Sequence, residues 1–453
     1  MIRMNLLGLP RPIHPKDSKN TAAMAIEPIN GFSTVTIPLD MQVGPGCESI
    51  VKKGDHVNVG QLLGEPKGPW SVPVHSSVSG TVKSISDQIL SDGTHAEYVT
   101  IESDGLDTPC PDIAPPRVTD KASFLAAIRA SGLVGLGGAA FPVHIKLDPP
   151  PGKTIDTLIV NAAECEPYLT VDHRICLEGA EDAVEGALAV ARWCGIGKVI
   201  FGTEDNKKEA AKSLKEAIRK LKDHPHMPDG GVEVKVLPTS YPTGAEKVLI
   251  RLLNGRVVPE GGLPADVGVI VQNVTTLHFL SRYLKTGMPL IKKAITLDGS
   301  AVKKPGNFLV PIGSAIADVI EKAGGTRAEP AKIIMGGPMM GVAVDDISRP
   351  ILKHNNGILV LDEQDAVLPL ESACILCGRC IRACPMRLLP MALDKAARAN
   401  NPGELQDRHV MNCIECGSCS FVCPAKRYLV QNIRFGKTLV RQAAASRGKG
   451  GKS

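Results

Sequence analysis

Aromatic side chains are scarce in this chain of 453 residues, since phenylalanine, tyrosine and tryptophan together make up 3% of it. Hydrophobic residues as a whole still reach 43%, so we expect a folded protein with mostly aliphatic cores. Long apolar runs are also missing, and none approaches the roughly 20 residues of a membrane-spanning helix. The stretch from Met1 to Pro15 is a poor signal peptide, because Pro10 and Pro15 interrupt its short apolar part. These absences predict a protein that stays in the cytoplasm.

Acidic residues are missing from Cys416 to Ser453, where eight basic residues occur. Such a segment can bind an anionic lipid surface or an acidic partner. A solvated, disordered end is the alternative, and the composition does not decide between the two. We expect no nucleic-acid partner.

Eight of the thirteen cysteines form two tight groups, which is a metal-binding pattern rather than a disulfide framework. Both groups have the spacing Cys-x2-Cys-x2-Cys-x3-Cys-Pro, the first with Cys374, Cys377, Cys380 and Cys384 and the second with Cys413, Cys416, Cys419 and Cys423. Three thiolates on a tight loop can bind one face of an iron–sulfur cubane, while the fourth, followed by proline, binds the other cluster. Zinc is the alternative, but zinc sites favour two cysteine pairs separated by a spacer.

The sequence therefore predicts two four-iron–four-sulfur (4Fe–4S) clusters that exchange one ligand. Cluster 1 is expected to be bound by Cys374, Cys377, Cys380 and Cys423, and cluster 2 by Cys384, Cys413, Cys416 and Cys419. Two clusters held in this way lie close together and form a relay for single electrons.

The texture of the sequence divides the chain into five segments. In residues 1–112, apolar and polar residues alternate with period two between turn residues, which predicts short strands, and residues 113–287 alternate predicted helices with predicted strands. Residues 288–358 return to short strands with one helix. Residues 359–435 carry the cysteine groups on short helices, and residues 436–453 form a basic tail. Strands that alternate with helices predict a mainly parallel α/β sheet. Within it, a single helix is expected over Asp172–Cys194, ended by Gly195.

A glycine-rich loop opens the α/β segment. The stretch Gly135-Leu-Gly-Gly-Ala-Ala-Phe-Pro142 follows a predicted helix rather than a strand, so it is not an ordinary dinucleotide fingerprint. Its glycines would let backbone N–H groups approach a phosphate or a flat ring. Lys146 lies one helical turn further on and could reach a phosphate or ring oxygen. A plain glycine-rich turn is the alternative for this motif alone.

An acidic turn follows the next predicted strand. The stretch Asn161-Ala-Ala-Glu-Cys-Glu-Pro167 comes directly after the strand, and ligands of α/β sheets collect at the carboxyl ends of strands. One asparagine and two glutamates there could bind ribose hydroxyls, a flavin edge or a nicotinamide amide. An exposed acidic turn is the alternative.

Taken together with later segments, these motifs carry a resemblance to known proteins. Two later segments follow the glycine-rich loop and the acidic turn, namely Tyr241-Pro-Thr-Gly-Ala-Glu-Lys247 and Gln272-Asn-Val-Thr-Thr276. The four motifs and their order resemble those of the flavin- and NADH-binding subunit of respiratory complex I. The match is closer to the RnfC family, the C subunits of the membrane-bound Rnf complex, through Ile13-His-Pro15, Pro73–Val82, Gly262-Leu-Pro-Ala-Asp266 and the doubled cysteine motif. The resemblance runs from about residue 10 to 435.

The resemblance implies a multidomain α/β and α+β fold. It implies an N-terminal barrel-sandwich domain over 1–112, a Rossmann-like domain for flavin mononucleotide (FMN) and NADH over 113–287, a β-grasp domain of the SLBB type over 288–358, and a ferredoxin-like helical domain with two 4Fe–4S clusters over 359–435. The first domain is related to biotinyl and lipoyl carriers, but no carrier lysine flanked by methionine is present, so we expect a scaffold.

Individual site residues are implied in the same way. FMN would contact Gly135, Gly137, Gly138, Lys146, Asn161, Gly244, Glu246 and Asn273, while NADH would stack near Phe141 and meet the catalytic pair Glu164 and Glu166. Ala140 replaces the usual glycine before Phe141, so the loop is strained if that position needs a positive φ.

The function implied is that of a peripheral subunit on the cytoplasmic face of a membrane-bound, ion-translocating complex. The chain would exchange electrons between NAD(H) and ferredoxin through FMN and two 4Fe–4S clusters, coupled to Na⁺ or H⁺ transport by integral-membrane subunits and assisted by an iron–sulfur B subunit. One alternative is a soluble flavin and iron–sulfur NADH reductase similar to cobalamin reductase. Another is an adaptor protein that has lost its flavin, an alternative suggested by Ala140.

Overall fold

A computed structural model of the protein describes residues 11–89 and 95–450. The first part of the chain contains eight strands: β1 (Ile26–Pro28), β2 (Thr34–Pro38), β3 (Cys47–Ser49), β4 (His56–Val57), β5 (Leu62–Pro66), β6 (Val74–His75), β7 (Gly80–Ile89) and β8 (His95–Ser103). Seven of them form two sheets, ordered β2-β8-β7-β4 and β3-β5-β6. The predicted period of two is confirmed in β2, where Val35 and Ile37 are buried and Thr34 and Thr36 are partly exposed. Gly80 is required at the start of β7, since a Cβ there would lie 2.0 Å from the carbonyl oxygen of Glu102.

The second part is a four-stranded parallel sheet covered by helices. Its elements are α1 (Lys121–Ala130), α2 (Val143–Lys146), β9 (Thr157–Asn161), α3 (Val171–Glu178), α4 (Ala180–Cys194), β10 (Lys198–Glu204), α5 (Lys208–Lys220), β11 (Val232–Leu237), α6 (Glu246–Asn254), a short 3₁₀ helix (Pro264–Val267), β12 (Val269–Asn273) and α7 (Val274–Thr286). The strand order is β11-β10-β9-β12, and every pair is parallel. The first four residues of β9 and the first four of β12 are all buried, as expected for strands covered on both faces.

One predicted helix was wrong in this part. The expected helix Asp172–Cys194 is two helices, α3 and α4, which meet at Gly179. Gly179 has φ −130° and ψ 29°, outside the helical range, and a Cβ there would lie 2.4 Å from the ring of His278 in α7. The close approach of α7, which the sequence analysis did not identify as a helix, therefore accompanies the break.

The third part is a six-stranded mixed sheet with one helix. Its elements are β13 (Lys292–Asp298), β14 (Gly306–Pro311), α8 (Ile316–Lys322), β15 (Lys332–Met335), β16 (Val342–Val344) and β17 (Gly357–Leu361), and the strand order is β1-β14-β13-β17-β15-β16. The edge strand β1 pairs in parallel with β14, although it lies inside the segment 1–112 that was assigned to the first domain. The sequence pattern does not reveal this pairing, because a three-residue strand specifies no partner.

The first three parts share one continuous hydrophobic core. It includes Leu63 of the first part, Phe124 and Val160 of the second and Ile295 of the third. A buried lysine joins the same three parts, since Lys353 Nζ donates to the carbonyl oxygens of Pro73 at 2.9 Å and Gly132 at 2.8 Å. Burial lowers the pKa of Lys353 to about 8.

The C-terminal part is helical and has a smaller core of its own, centred on Leu393, Leu405 and Ile433. Its elements are α9 (Arg379–Ala383), α10 (Pro390–Arg398), α11 (Pro402–Asp407), a 3₁₀ helix (Val410–Asn412), α12 (Ser418–Phe421) and α13 (Leu429–Gly450). The helix α13 continues to Gly450 through the segment that was predicted as a basic tail from residue 436. Gly436 packs against Leu405, and Lys437 Nζ donates to the carbonyl oxygen of Cys413 at 2.6 Å, so this segment is held by the domain. Residues 451–453 of the predicted tail lie outside the described residues.

Helices long and apolar enough to cross a membrane are absent from the described part of the chain.

Candidate functional site

Two asparagines end neighbouring parallel strands and define the edge of the candidate pocket. Asn161 ends β9, Asn273 ends β12, and the two residues are register partners. Asn161 Nδ2 donates to the carbonyl oxygen of Gly244 at 2.9 Å, which attaches the loop before α6 to this edge. Asn273 caps α7, because its Oδ1 accepts the N–H groups of Thr275 and Thr276 at 2.9 and 3.3 Å.

The glycine-rich loop lies over the same edge. A Cβ on Gly137 would lie 3.1 Å from the Asn273 side chain, so the loop approaches this asparagine closely. Gly138 has φ +110° and no heavy atom near its would-be Cβ, and it is exposed together with Gly137. Ala140 has φ +52°, so the positive φ considered in the sequence analysis is present. An alanine in this region costs roughly 1–2 kcal/mol, which the surrounding contacts must offset.

An ion pair closes one side of the pocket. Lys146 at the end of α2 lies 2.6 Å from Glu246, the first residue of α6, and both side chains are about one third exposed. The structure therefore brings together Asn161, Asn273, Gly137 and the Lys146–Glu246 pair, which were predicted from four separate stretches of sequence.

A buried acid and a buried base lie behind this edge and were missed by the sequence analysis. Asp172 accepts hydrogen bonds from Asn273 Nδ2 at 2.7 Å and from Thr275 Oγ1 at 2.6 Å. Burial raises the pKa of Asp172 to about 6, and the charge of Glu164 acts in the same direction. Lys293 Nζ donates to the carbonyl oxygen of Leu136 in the glycine-rich loop at 3.3 Å.

Burial also lowers the pKa of Lys293 to about 8, opposed by the charges of Asp172 and Glu164. The sequence carries no signal that Lys293 would contact the glycine-rich loop, because Lys293 comes from β13 of another domain.

The two predicted catalytic glutamates are both engaged inside the protein. The Glu164 carboxylate accepts the N–H groups of Asp172 at 2.7 Å and His173 at 3.1 Å, at the start of α3. Glu166 Oε2 accepts the N–H of Met339 at 3.0 Å, and burial raises the pKa of Glu166 to about 6.

A lysine from the N-terminal segment holds the acidic turn in place. Lys19 Nζ donates to the carbonyl oxygens of Glu164, Glu166 and Leu169 at 2.8, 2.7 and 2.6 Å. Burial lowers the pKa of Lys19. Nothing in the spacing of the motifs indicated this contact, which spans about 150 residues of sequence.

The cysteine loops repeat one backbone conformation. The residues at the same motif position, Leu376 and Glu415, have φ +54° and +56°, and the glycines two residues later have φ +69° and +75°. Short helices follow in both copies, α9 and α12. The two loops are therefore built to present their thiols in the same way, as the duplicated spacing predicts.

The thiols assigned to cluster 2 line one cavity. Cys384, Cys413, Cys416 and Cys419 surround it, together with apolar side chains such as Leu388, Leu393 and Ile433. Burial and the neighbouring thiols of Cys413 and Cys416 raise the pKa of Cys384 to about 11. Backbone N–H groups point at two of the sulfurs, from Leu388 to Cys384 and from Glu415 to Cys413, each at 3.3 Å. Four thiols around an apolar cavity, two of which receive N–H···S contacts, fit an iron–sulfur cubane.

The thiols assigned to cluster 1 have less enclosure. Cys374 and Cys377 are exposed and Cys380 is buried. Burial raises the pKa of Cys380, and Cys423 acts in the same direction, so the fourth cysteine of the second motif faces the first motif. Within the described residues, no three His, Cys, Asp or Glu side chains converge closely enough to hold a single metal ion.

Tyr241 connects the pocket to the cluster 2 thiols. Its hydroxyl donates to the carbonyl oxygen of Cys416 at 2.7 Å and lies 3.4 Å from Glu166 Oε1. The same small hydrophobic cluster contains Ile13, Tyr241, Ala383 and Cys416, with Cys165 packed against it. Cys165 Sγ in turn accepts the N–H of Gly244 at 3.3 Å. The loop before α6 therefore touches both the pocket edge and Cys416, one of the thiols assigned to cluster 2.

Four family models match the chain in the order of its structural parts. The RnfC barrel sandwich hybrid domain matches residues 8–106, the Nuo51 FMN-binding domain residues 128–282, the SLBB domain residues 294–343 and the 4Fe-4S dicluster domain residues 367–430. The predicted multidomain fold class is thereby confirmed, and so are FMN and two 4Fe–4S clusters as the cofactors.

Curated relatives match almost the whole chain. The C subunit of the Na⁺-translocating ferredoxin:NAD⁺ oxidoreductase complex of Acetobacterium woodii is 42% identical over 97% of this chain and 97% of its own length. The C subunit of the proton-translocating ferredoxin:NAD⁺ oxidoreductase complex of Clostridium ljungdahlii is 43% identical over 95% of this chain and 93% of its own. Among solved structures, an air-oxidised NAD⁺-reducing NiFe-hydrogenase has a TM-score of 0.52 at 19% identity, over 71% of this chain and 63% of that one, and is similar in fold. The chain thus belongs to the RnfC family, the C subunits of ion-translocating ferredoxin:NAD oxidoreductase complexes.

Proposed function

We propose that this chain exchanges electrons between NAD(H) and ferredoxin as the peripheral electron-transfer subunit of an ion-translocating complex. FMN, when bound, supplies the chemistry that the clusters lack, since it takes up the two electrons of a hydride and releases them singly. The residues of this chain bind and orient NAD(H) and hold the flavin at the pocket edge. They also keep the path from the flavin to the clusters short and shielded from water.

The observation that carries this proposal is the contact between Tyr241 and Cys416. The loop that ends in Gly244 lies against Asn161 on one side, and its Tyr241 touches a cluster 2 ligand on the other. Tyr241 is 1% exposed, so water is excluded from this junction. Cys416 would then hold the cluster that receives electrons from the flavin first, and Cys380 the cluster that receives them second.

Specific roles follow for the pocket residues. Backbone N–H groups of Gly137 and Gly138 would face the flavin phosphate or ring, because glycine allows the closest backbone approach. The N–H of Gly135 donates to the carbonyl oxygen of Phe141 at 2.8 Å, so Gly135 would contact the flavin without this donor. Lys146 would supply positive charge to the same group, balanced by Glu246, while Asn161, Gly244 and Asn273 would contact the ring edge. NADH would stack near Phe141.

Glu164 and Glu166 would act chiefly by positioning. Glu164 holds the start of α3 and Glu166 holds the loop at Met339, so each fixes one wall of the pocket. If they also meet NADH, they do so through the oxygen lone pairs that these bonds leave free.

Within the complex we place this subunit at the cytoplasmic face of the membrane, against integral-membrane subunits and an iron–sulfur B subunit. The relatives support membership in such a complex, since both are subunits of translocating ferredoxin:NAD⁺ oxidoreductase complexes. Ferredoxin would exchange electrons with cluster 1 directly or through that B subunit.

The decisive experiment is an anaerobic NADH titration of the full chain after reconstitution with FMN, iron and sulfide. We expect about eight irons per chain, bleaching of the flavin absorbance and then the paramagnetic signals of reduced clusters. A preparation that retains no FMN, or whose flavin NADH does not bleach, would refute the proposal. Co-purification with membranes in the native host separates a complex subunit from a soluble reductase.

A further inference from the structure

A loop of the first domain reaches the glycine-rich loop of the flavin domain. It comprises residues 68–71 and carries Trp70, one of only two tryptophans in the chain. The ring of Trp70 lies against that of Phe141, with 5.7 Å between centroids and an interplanar angle of 83°. Trp70 is 47% exposed and Phe141 is partly exposed, so each ring presents surface to the outside of this junction.

The flavin domain holds this loop by its backbone. Arg129 donates from Nε to the carbonyl oxygen of Ser71 at 3.0 Å and from Nη2 to that of Gly68 at 2.8 Å. His144 Nε2 lies 2.9 Å from the carbonyl oxygen of Pro69, and because a carbonyl only accepts, this nitrogen carries a proton. Three carbonyl groups of one loop are thus bound by two side chains of the domain that carries Phe141.

The first domain fixes the same loop from its own side. Ser71 Oγ donates to the carbonyl oxygen of Pro45 at 2.5 Å, and the N–H of Val72 donates to Gln42 Oε1 at 2.8 Å. A second link between the two domains runs from the N–H of Val43 to the carbonyl oxygen of Ala140 at 3.0 Å. Trp70 is therefore held in place before any ligand binds, which lowers the entropic cost of stacking on it.

The geometry of the two rings suits a flat ligand. Perpendicular rings form a corner, in which a planar group stacked on one ring presents its edge to the face of the other, an arrangement that aromatic quadrupoles favour. The exposed backbone of Gly137 and Gly138 lies a few residues from Phe141, so phosphates attached to the planar group have N–H donors nearby.

We propose that Trp70 and Phe141 together form an aromatic corner that binds a flat ring of NAD(H). This inference rests on the proposed function and extends it, because the barrel-sandwich domain then supplies one wall of the dinucleotide site instead of acting only as a scaffold. Correct docking of that domain becomes a requirement for affinity toward NAD(H).

The test compares W70A, W70F and the control W193F in the full, reconstituted chain. Trp193 packs against Phe124 and His226 in the flavin domain and serves as the matched tryptophan away from the corner. NADH oxidation is followed with ferricyanide as the acceptor. Loss of one base-stacking contact should raise the KM for NADH about tenfold in W70A with little change in kcat. W70F should keep most of the affinity, and W193F all of it.

Fluorescence gives a second readout that does not depend on turnover. In W193F the only tryptophan is Trp70, so NAD⁺ added to the oxidised protein should quench its emission in a saturable way. An unchanged KM in W70A, or no quenching at saturating NAD⁺, would overturn the inference. The proposed function would still stand as long as NADH reduced the flavin of the wild-type protein. A wild-type flavin that NADH cannot reduce would instead refute the proposed function itself. Equal FMN content in all variants shows that a KM change does not come from misfolding.

Discussion

The hydroxyl of Tyr241 donates its hydrogen bond to the carbonyl oxygen of Cys416 at 2.7 Å, although 175 residues separate the two in sequence. A phenol has a single proton, so its 3.4 Å contact with Glu166 is the weaker of the two interactions. This bond joins the flavin domain to Cys416, a predicted ligand of cluster 2, in a region from which solvent is excluded.

The Tyr241→Phe variant should weaken this junction. Cys416 would keep a buried carbonyl without its partner, which costs roughly 1–3 kcal/mol of unfolding free energy. Stopped-flow absorbance should show cluster reduction slowed severalfold and flavin reduction by NADH affected less. Tyr283→Phe is the control, since that ring stacks on Phe279 within α7. Equal slowing of both steps in Tyr241→Phe would contradict a role at the flavin–cluster junction.

Paired cysteine variants should reveal which thiols share a cluster. Cys380 and Cys423 are assigned to cluster 1, so the double variant C380S/C423S should lose about four irons, no more than C380S alone. The double variant C380S/C384S should lose about eight, because Cys384 is assigned to cluster 2. Iron analysis with cluster spectroscopy on oxygen-free protein decides the matter. The reverse pattern would mean that each motif binds its own cluster.

The removal of a buried charge should unfold the cluster domain more easily. Asp394 accepts hydrogen bonds from Arg427 at 2.6 Å, Arg398 at 3.0 Å and Asn432 at 2.6 Å. In D394N the partly buried Arg427 loses its carboxylate partner, whereas Arg398 keeps Glu371. We expect a loss of roughly 3 kcal/mol in urea unfolding. The exposed pair of Lys121 and Asp148 provides the control, since D148N should cost less than about 1 kcal/mol.

The pH dependence of unfolding should follow from the same carboxylate. Burial alone would raise the pKa of Asp394, but the hydrogen bonds from Arg427, Arg398 and Asn432 outweigh it and hold this pKa below the ordinary 3.8. The stabilisation is therefore complete above about pH 4 and is lost as the pH falls through the lower folded value. Wild type and D394N should converge in stability in strong acid. A gap that persists there would contradict the assignment.

Relief of backbone strain should stabilise the glycine-rich loop. Ala140 has φ +52°, and glycine adopts this conformation at no steric cost. We expect A140G to gain up to about 1 kcal/mol of unfolding free energy, since glycine's larger chain entropy offsets part of the relief. Thermal unfolding and FMN titration measure the two effects. The neighbouring A139G should give no gain, and an equal gain there would argue against strain as the cause.

Much of the site could be predicted because its signals are local. The strand ends at Asn161 and Asn273 follow runs of buried aliphatic residues, and the doubled cysteine spacing needs no tertiary information to be read. The break at Gly179 could not be predicted from the helical pattern, because it depends on the approach of His278 from α7. The pairing of β1 with β14 likewise joins segments about 280 residues apart.

The sequence by itself determined which chemistry the chain can support, since the spacing of eight cysteines and the order of the glycine-rich and acidic motifs are properties of short stretches. Only the tertiary structure decided how these pieces face one another. Lys293 meets the loop of Leu136, Trp70 meets Phe141 and Tyr241 meets Cys416 through contacts between domains. Periodicity encodes which face of an element is buried but not which distant element covers it. The partner is selected when the shared aliphatic core closes and most buried polar groups find a hydrogen bond.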